Sequence, residues 1–324
     1  MEQVVIMMTT YQGKAYLKEQ MDSILAQDYP HWRLIVRDDG SQDATMLLLS
    51  AYANAHPDKI SVERNAVNKG AAKNFLTLLA DAAGEYSGSD SGQIYFMFAD
   101  QDDIWHADKL RRTLRRMKRV EKRYGASQPA LVFTDAAVVD ETKAKTADSF
   151  IRHQHLNAKN LSLNHLLMEN VCQGCTMMMN APLARQVTVP DEGARYHDWW
   201  VALIAAALGH ISYLPEATLD YRQHGGNAVG AQKHAAYVRE RVSHKEQREK
   251  ALTDTFAQGK CFWELYKDKI TDSAKKEAAS AFAEMGRQKP VQSCVNLLKN
   301  RFFKSGLVRN LGVLWTLWGM KRTE

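Results

Sequence analysis

The sequence predicts an α/β protein: a mostly parallel central sheet flanked by helices, with a helical C-terminal extension. Three observations lead there. Short apolar runs alternate with amphipathic helical stretches through the first half of the 324 residues, and that alternation builds a parallel sheet covered on both faces. The run Ile94-Tyr95-Phe96-Met97-Phe98-Ala99 is apolar throughout, as a strand buried on both sides must be. Beyond about residue 233 the chain reads as helix, rich in Lys, Glu, Arg and Ala.

Taken in order, residues 4–8 are the first strand and 16–27 the first helix. A strand at 32–37 leads into a helix at 43–55, and a shorter strand at 60–64 into a helix at 71–83, where Phe75, Leu78, Leu79 and Ala82 share a face. The strand at 94–99 precedes a helix at 108–124 with a Leu110, Leu114 and Met117 stripe. Residues 131–139 and 175–179 read as strands, 140–145 as a charged turn and Asn180-Ala181-Pro182 as a helix start. A strongly apolar helix at 199–208 begins through His197-Asp198, and a short strand at 218–221 runs into the loop Arg222-Gln223-His224-Gly225-Gly226-Asn227. The division that follows is a catalytic domain over residues 1–230 and a helical region over 231–324.

Composition sets the class. Hydrophobic residues make up 45% and charged residues 25%, the profile of a soluble globular protein. The apolar start is too short for a signal peptide, and no later run suffices to cross a bilayer. Cys172 and Cys175 form a CxxC without the second ligand pair that zinc needs, so the pair reads as reduced and buried, in keeping with the cytoplasm. The net charge is +6, and no acidic residue lies between Glu284 and Glu324.

In sheets of this kind ligands bind beyond the carboxyl ends of the strands. Those ends carry Thr9-Thr10-Tyr11-Gln12-Gly13, Asp38-Asp39-Gly40-Ser41, Asn68-Lys69-Gly70 and Asp100-Gln101-Asp102-Asp103. Each has a plain reading as a turn or a helix start. Together they describe an acidic, hydroxyl-rich rim suited to a divalent metal and ribose hydroxyls, with Asp102, Asp100 and Asp103 all open as ligands. The helix opening at Gly70, with Lys73 nearby, suits a diphosphate. Asp198 reads either as an N-cap or as a general base beside the aromatic walls Trp199 and Trp200, where desolvation raises its pKa. His224, flanked by Arg222 and the glycines, can reach a metal or phosphate from the loop.

In this order the motifs resemble the family 2 glycosyltransferases, inverting enzymes of the GT-A (Rossmann-like) fold. The resemblance covers roughly the first 230 residues and rests on the four strand ends, Ile104-Trp105, Gly174-Cys175-Thr176, His197-Asp198-Trp199-Trp200 and Tyr221-Arg222-Gln223-His224-Gly225. The Asp-Gln-Asp-Asp-Ile-Trp form and the last two motifs look most like bacterial polysaccharide rhamnosyltransferases. The resemblance implies that Thr9, Tyr11 and Asp39 hold the base and ribose of a dTDP- or UDP-sugar. It implies further that Asp100 and Asp102 are the ends of a DxD motif for Mn²⁺ or Mg²⁺, that Asp198 is the base, and that the His224 loop closes over the diphosphate. His197, Trp199, Trp200 and Arg222 then fall to the acceptor side and the closing loop.

The tail adds a location. Leu307, Leu311, Leu314, Trp315 and Trp318 share a helical face, with Arg309 and Lys321-Arg322 at the ends. Such a helix either packs on the core or lies in a membrane interface. The second reading places a cytoplasmic enzyme at the inner face of the membrane beside a lipid-linked saccharide acceptor. Rival functions are a nucleotidyltransferase, whose glycine-rich basic signature is missing after the first strand, and a non-catalytic binding module, against which Asp198 argues. The basic run from Lys109 to Arg123 reads as a packed helix with a charged outer face, so no nucleic-acid partner is expected.

Overall fold

The computed structural model describes residues 2–88, 93–225 and 245–320. The first half alternates as expected: β1 (Gln3–Thr10), α1 (Leu17–Leu25), β2 (Trp32–Asp38), α2 (Thr45–Ala55), β3 (Ile60–Arg64), α3 (Ala71–Glu85), β4 (Ile94–Ala99), β5 (Ile104–Trp105) and α4 (Lys109–Tyr124). The middle holds β6 (Ala130–Val139), β7 (Lys145–Ala147), α5 (Phe150–His153), α6 (Leu163–Met168), β8 (Met177–Asn180), α7 (Ala181–Ala184), α8 (His197–Leu208) and β9 (His210–Arg222). Four helices follow: α9 (Lys245–Tyr266), α10 (Ser273–Glu284), α11 (Pro290–Lys299) and α12 (Leu307–Gly319).

The strands form one sheet in the order β3-β2-β1-β4-β8-β6-β9-β5, with β7 on β6. Strands β1 to β4 are mutually parallel, β8 is inserted antiparallel, and β6 and β9 pair parallel. The all-apolar β1 and β4 are sandwiched. Val5, Met7, Phe96 and Phe98 face one core cluster, and Val4, Ile6, Met8, Tyr95 and Met97 face the other. Alternation of side chains along a strand assigns them that way. On the second face α4 buries Leu110, Leu114, Met117 and Val120, sends its arginines outward and stops at Gly125, whose φ of 99° ends the helix. Each such buried side chain contributes about 1.5–3 kcal/mol.

The C-terminal helices share the first cluster: Phe256, Phe262, Phe282, Phe302, Val313 and Leu317 join Trp200 and Phe98 in it. They therefore continue the core of the sheet domain as one hydrophobic unit. The boundary expected at residues 230 and 231 lies outside the described residues, as do Gly226, Asn227, Lys321 and Arg322.

Three expectations change. The strand expected at 218–221 is the end of the 13-residue β9. Pro215 interrupts its apolar pattern, and the register slips where Thr134 pairs Leu214 but Asp135 pairs Ala217. The strand expected at 175–179 opens with a 3₁₀ turn at Gly174–Thr176 and runs as β8 only from Met177. Residues Ile104 and Trp105 form an edge strand against β9, so the acidic turn is tied to the sheet at both ends.

Candidate active site

A cavity of about 1310 Å³ runs from the carboxyl ends of β1, β2 and β4, past the first turn of α3 and the start of α8, to the inner face of α12. Of the residues singled out from sequence, Thr9, Tyr11, Asp39, Lys73, Asp100, Asp102, His197, Asp198 and Trp199 line it.

The donor end is a set of loops locked to one another. Asp38 is fully buried and accepts from Thr10 Oγ1 at 2.9 Å, Ser41 Oγ at 2.5 Å and the N–H groups of Gly40 and Ser41. It is the structural half of the Asp-Asp pair. Asp39 accepts from Asn65 Nδ2 at 2.8 Å and from the N–H groups of Lys69 and Gly70, both at 2.9 Å. Its carboxylate thus fixes the loop that opens α3 at the cavity wall. Gly70, with φ of 77°, permits that turn. Lys73 reaches across to the Asp191 carbonyl at 3.5 Å.

Gln101, given no role from sequence, clamps the first loop. Tyr11 N–H donates to its Oε1 at 2.9 Å, and its Nε2 donates to the Tyr11 carbonyl at 3.1 Å. A Cβ on Gly13 would sit 2.3 Å from the same Oε1, so a larger residue there would displace the Gln101 amide from Tyr11. The half-exposed Tyr11 ring is left facing the cavity.

The acidic turn concentrates negative charge. Asp100 is pushed up to about 7, first by burial and then by the charges of Asp102 and Asp198. Burial also raises Asp102, opposed by His224, whose Nε2 lies 2.8 Å from its Oδ2. Asp103 is raised well above the usual carboxylate range, by burial and by both neighbours. It is fully buried, does not line the cavity, and its Oδ2 has no hydrogen-bond partner among the described residues. The ambiguity among the three is thereby narrowed: Asp100 and Asp102 reach the cavity, Asp103 lies beneath it. Sequence reading also missed that Cys175 belongs here, its thiol within 4.8 Å of the Asp100 and Asp103 carboxylates. Both Cys172 and Cys175 are free and buried, and burial raises both thiols well above their usual range. Cys175 does not line the cavity, so the donors at the cavity wall are carboxylate oxygens. These suit a hard divalent cation.

Asp198 lies in the first turn of α8, not at its N-cap, which is Tyr196. Its carboxylate accepts the Trp199 N–H at 2.6 Å and the Gly174 N–H at 3.1 Å. Burial pushes it up to about 6 against those N–H groups and the Asn170 side chain. Gly174, quoted as part of a motif but given no role, donates that bond and leaves room: a Cβ there would meet His197 Nε2 at 2.7 Å. His197 stacks on Phe75 at 4.0 Å and meets the edge of Phe98 at 4.7 Å. Burial drives it down to about 3, so it is a neutral, packed part of the cavity floor.

Besides Asp103, three expected residues lie off the cavity lining: Trp200, Arg222 and His224. Trp200 is fully buried, donates to the Thr188 carbonyl at 2.9 Å and packs edge-on to Phe262 and Tyr266. At helical spacing Trp199 and Trp200 diverge by about 100°, so only Trp199 reaches the wall. Arg222 is a buried clamp: it donates to the carbonyls of Asp102 at 3.0 Å and Glu141 at 3.3 Å, pairs with Glu19 and covers the Tyr16 ring. It braces the acidic turn and is not part of the cavity lining. His224 stacks on the same Tyr16 ring at 4.5 Å.

The sequence profile described as Glycosyl transferase family 2 matches residues 5–184. The chain belongs to that family. Among curated relatives, this glycosyltransferase is 26% identical over 234 residues to a dTDP-rhamnosyl transferase, RfbG, of Shigella flexneri, covering 69% of this chain and 74% of that one. It is 25% identical over 221 residues to the putative teichuronic acid biosynthesis glycosyltransferase TuaG of Bacillus subtilis, covering 68% and 78%. Its fold matches the S. aureus TarS 1-349 complex with UDP at a TM-score of 0.52 and 18% identity, covering 88% of this chain and 91% of that one. A mannosyltransferase, PcManGT, of Pyrobaculum calidifontis, solved with GDP-Man and Mn²⁺, aligns at 0.51 and 16%, covering 98% and 83%. The fold is GT-A, with the mostly parallel sheet expected. Asp198 lies beyond the profile match, so its role rests on its own geometry.

Proposed function

We propose that the enzyme transfers a sugar from a nucleotide donor to a saccharide hydroxyl with inversion, in the synthesis of a bacterial surface polysaccharide. One observation carries the reading: a carboxylate pair and a separately held carboxylate face a single cavity. Thr9, Tyr11 and Asp39 line the nucleotide end, and the first turn of α3 with Lys73 offers its N–H groups and ammonium to a diphosphate. Asp100 and Asp102, with His224 beside Asp102, are the residues that would hold Mn²⁺ or Mg²⁺. The bound ion would offset charge on the leaving diphosphate. Asp198 takes the proton of the acceptor hydroxyl. That oxygen bonds to the anomeric carbon from the face opposite the diphosphate, and the nucleoside diphosphate leaves with the electron pair of the broken bond. A carboxylic acid raised to about 6 is ionised at neutral pH and still basic enough to accept that proton.

The RfbG relative and the His-Asp-Trp-Trp and Arg-Gln-His-Gly motifs support dTDP-rhamnose as donor. No helix of the described residues is long and apolar enough to cross a membrane. The acceptor is proposed to be lipid-linked, reached at the inner face of the membrane through peripheral contact of α12. The test is a screen of dTDP-, UDP- and GDP-sugars with Mn²⁺ or Mg²⁺ for diphosphate release, comparing wild type with Asp198→Asn. The expected result is release with dTDP-rhamnose that Asp198→Asn removes. Release with a different nucleotide sugar reassigns the donor, and release unaffected by the substitution removes Asp198 as base.

A further inference from the structure

The cavity's far wall and an exposed apolar surface are made by the same helix. On α12, Val313 and Leu317 are buried, whereas Leu307, Val308, Leu311, Trp315 and Trp318 are exposed, Leu307 by 75% and Trp318 by 69%. The neighbouring α11 buries Leu297 and exposes Val291, Val295 and Leu298 at i, i+4, i+7 spacing. Two adjacent helices thus each present an apolar stripe to solvent. Around them Arg287, Lys289, Lys299 and Arg301 are exposed, and residues 285–323 contain no acidic side chain.

The stripe also turns inward. Val308 and Trp315 belong to the exposed set and line the cavity, beside Lys304, Arg309 and Thr316. The Arg248 guanidinium of α9 lies 4.5 Å from the Trp315 ring centroid and lines the cavity too. Arg309 is held by Glu169 at 2.7 Å and by the Gln154 carbonyl at 2.5 Å. The cavity therefore opens where apolar surface, tryptophan and cations meet. That combination matches the boundary between acyl chains and anionic headgroups.

We propose that α11 and α12 together seat on an anionic bilayer, and that the cavity mouth at Trp315 receives the phosphate of a lipid-anchored acceptor, with the cavity-lining cations Arg248 and Lys304 as the charges that draw it in. The inference rests on the glycosyl-transfer reading for the identity of the acceptor, but the membrane seat stands without it. Charge complementarity selects a bilayer: α11 and α12 carry cations and no carboxylate of their own, beside two exposed tryptophans, as an anionic surface requires.

The experiment has three arms on the full chain. Flotation with phosphatidylcholine–phosphatidylglycerol vesicles should recover the wild type, whereas phosphatidylcholine alone recovers less. Val295→Asp with Leu311→Asp, both at exposed positions, should lower recovery at least about tenfold while the melting temperature is kept. Equal flotation of that variant, or none by the wild type, overturns the seat. In the second arm, quenching of tryptophan fluorescence compares farnesyl phosphate, farnesol and inorganic phosphate. Farnesyl phosphate should bind best, and Arg248→Gln with Lys304→Gln should weaken it about tenfold or more, at roughly fivefold per cation. Equal binding of farnesol, or unchanged binding by the double variant, overturns the phosphate subsite, and equal binding of inorganic phosphate overturns its lipid character. The third arm titrates dTDP and UDP with Mn²⁺ present. Loss of that binding in the wild type would defeat the glycosyl-transfer reading while leaving the flotation result standing.

Discussion

The two carboxylate sites of the cavity are both desolvated, yet they are built in opposite ways. At the turn after β4, Asp100, Asp102 and Asp103 crowd together, so burial and mutual repulsion act in the same direction. At the start of α8, Asp198 has its burial opposed by N–H groups from Trp199 and Gly174. Under the proposed function the first arrangement would take a cation and the second would exchange a proton, so donor handling and proton transfer should be separable, and the predictions are ways to pull them apart.

The largest effect should come from Asp198→Asn. Removing a positioned general base lowers turnover by about 10²–10⁴-fold, while binding of the donor's nucleoside diphosphate, followed by calorimetric titration, should stay within about twofold of wild type on the same grounds. If affinity falls along with turnover, the two sites are not separable. Next, Asp102→Asn should weaken Mn²⁺-dependent nucleotide binding by roughly a hundredfold. Asp103→Asn, beneath the cavity wall, should leave that binding nearly unchanged. The reverse order would move the ligand assignment to Asp103 and to the Asp100–Cys175 side of the turn.

The pH dependence sharpens the contrast further. With Asp198 raised to about 6, kcat should fall about tenfold per unit below that pH and level off above it. Stability runs the other way. The folded pKa lies above the unfolded one, so the stabilising contribution of neutral Asp198 is complete below the unfolded value near 4 and is lost as pH rises through about 6. Asp198→Asn should therefore be more stable than wild type at pH 8 and closer to it at pH 4, read from melting temperatures. An identical offset at both values would place the raised pKa elsewhere.

Strand ends and their carboxylates were legible because a parallel sheet puts every βα loop on one rim, so locating the strands located the site. Asp39 and Asp100 follow from position at strand ends, and Asp198 from a helix start and the motif resemblance. What was not legible was the partner of each group. Asp38 and Asp39 look alike in sequence, and only the fold gives one to Thr10 and Ser41 and the other to Lys69 and Gly70. Trp199 and Trp200 are likewise equivalent on paper, and only helix phase sends Trp200 into the core. The motif resemblance assigns Arg222 to the acceptor side and the closing loop, while its contacts with Glu19 and the carbonyls of Asp102 and Glu141 lie far off in sequence and carry no motif. The apolar stripe of α12 was visible, but that of α11 was not, since Val291, Val295 and Leu298 show themselves as exposed only once Leu297 is seen to fill the core.

The smallest predicted effect probes the least conspicuous residue of the proton-transfer site. Gly174 contributes only a backbone N–H and empty space, so its role is testable by filling the space without touching a carboxylate. A methyl group there would lie 2.7 Å from His197 Nε2, closer than contact allows, and a tight 3.3 Å from Asp198 Cβ. His197 has little freedom to yield, being stacked on Phe75 and set edge-on to Phe98. The strain should pass to the first turn of α8 and displace the Asp198 carboxylate by a fraction of an ångström. Misplacement on that scale lowers kcat by about tenfold, and the overpacking costs about 1–3 kcal/mol of stability. The donor KM should not move, because the Asp100–Asp102 turn sits on β4 and β5, not on α8. Adding His197→Ala frees the space and should return part of the lost kcat despite removing a second side chain from the site. A double variant no better than Gly174→Ala alone would mean that the N–H bond, not the room, is what Gly174 supplies.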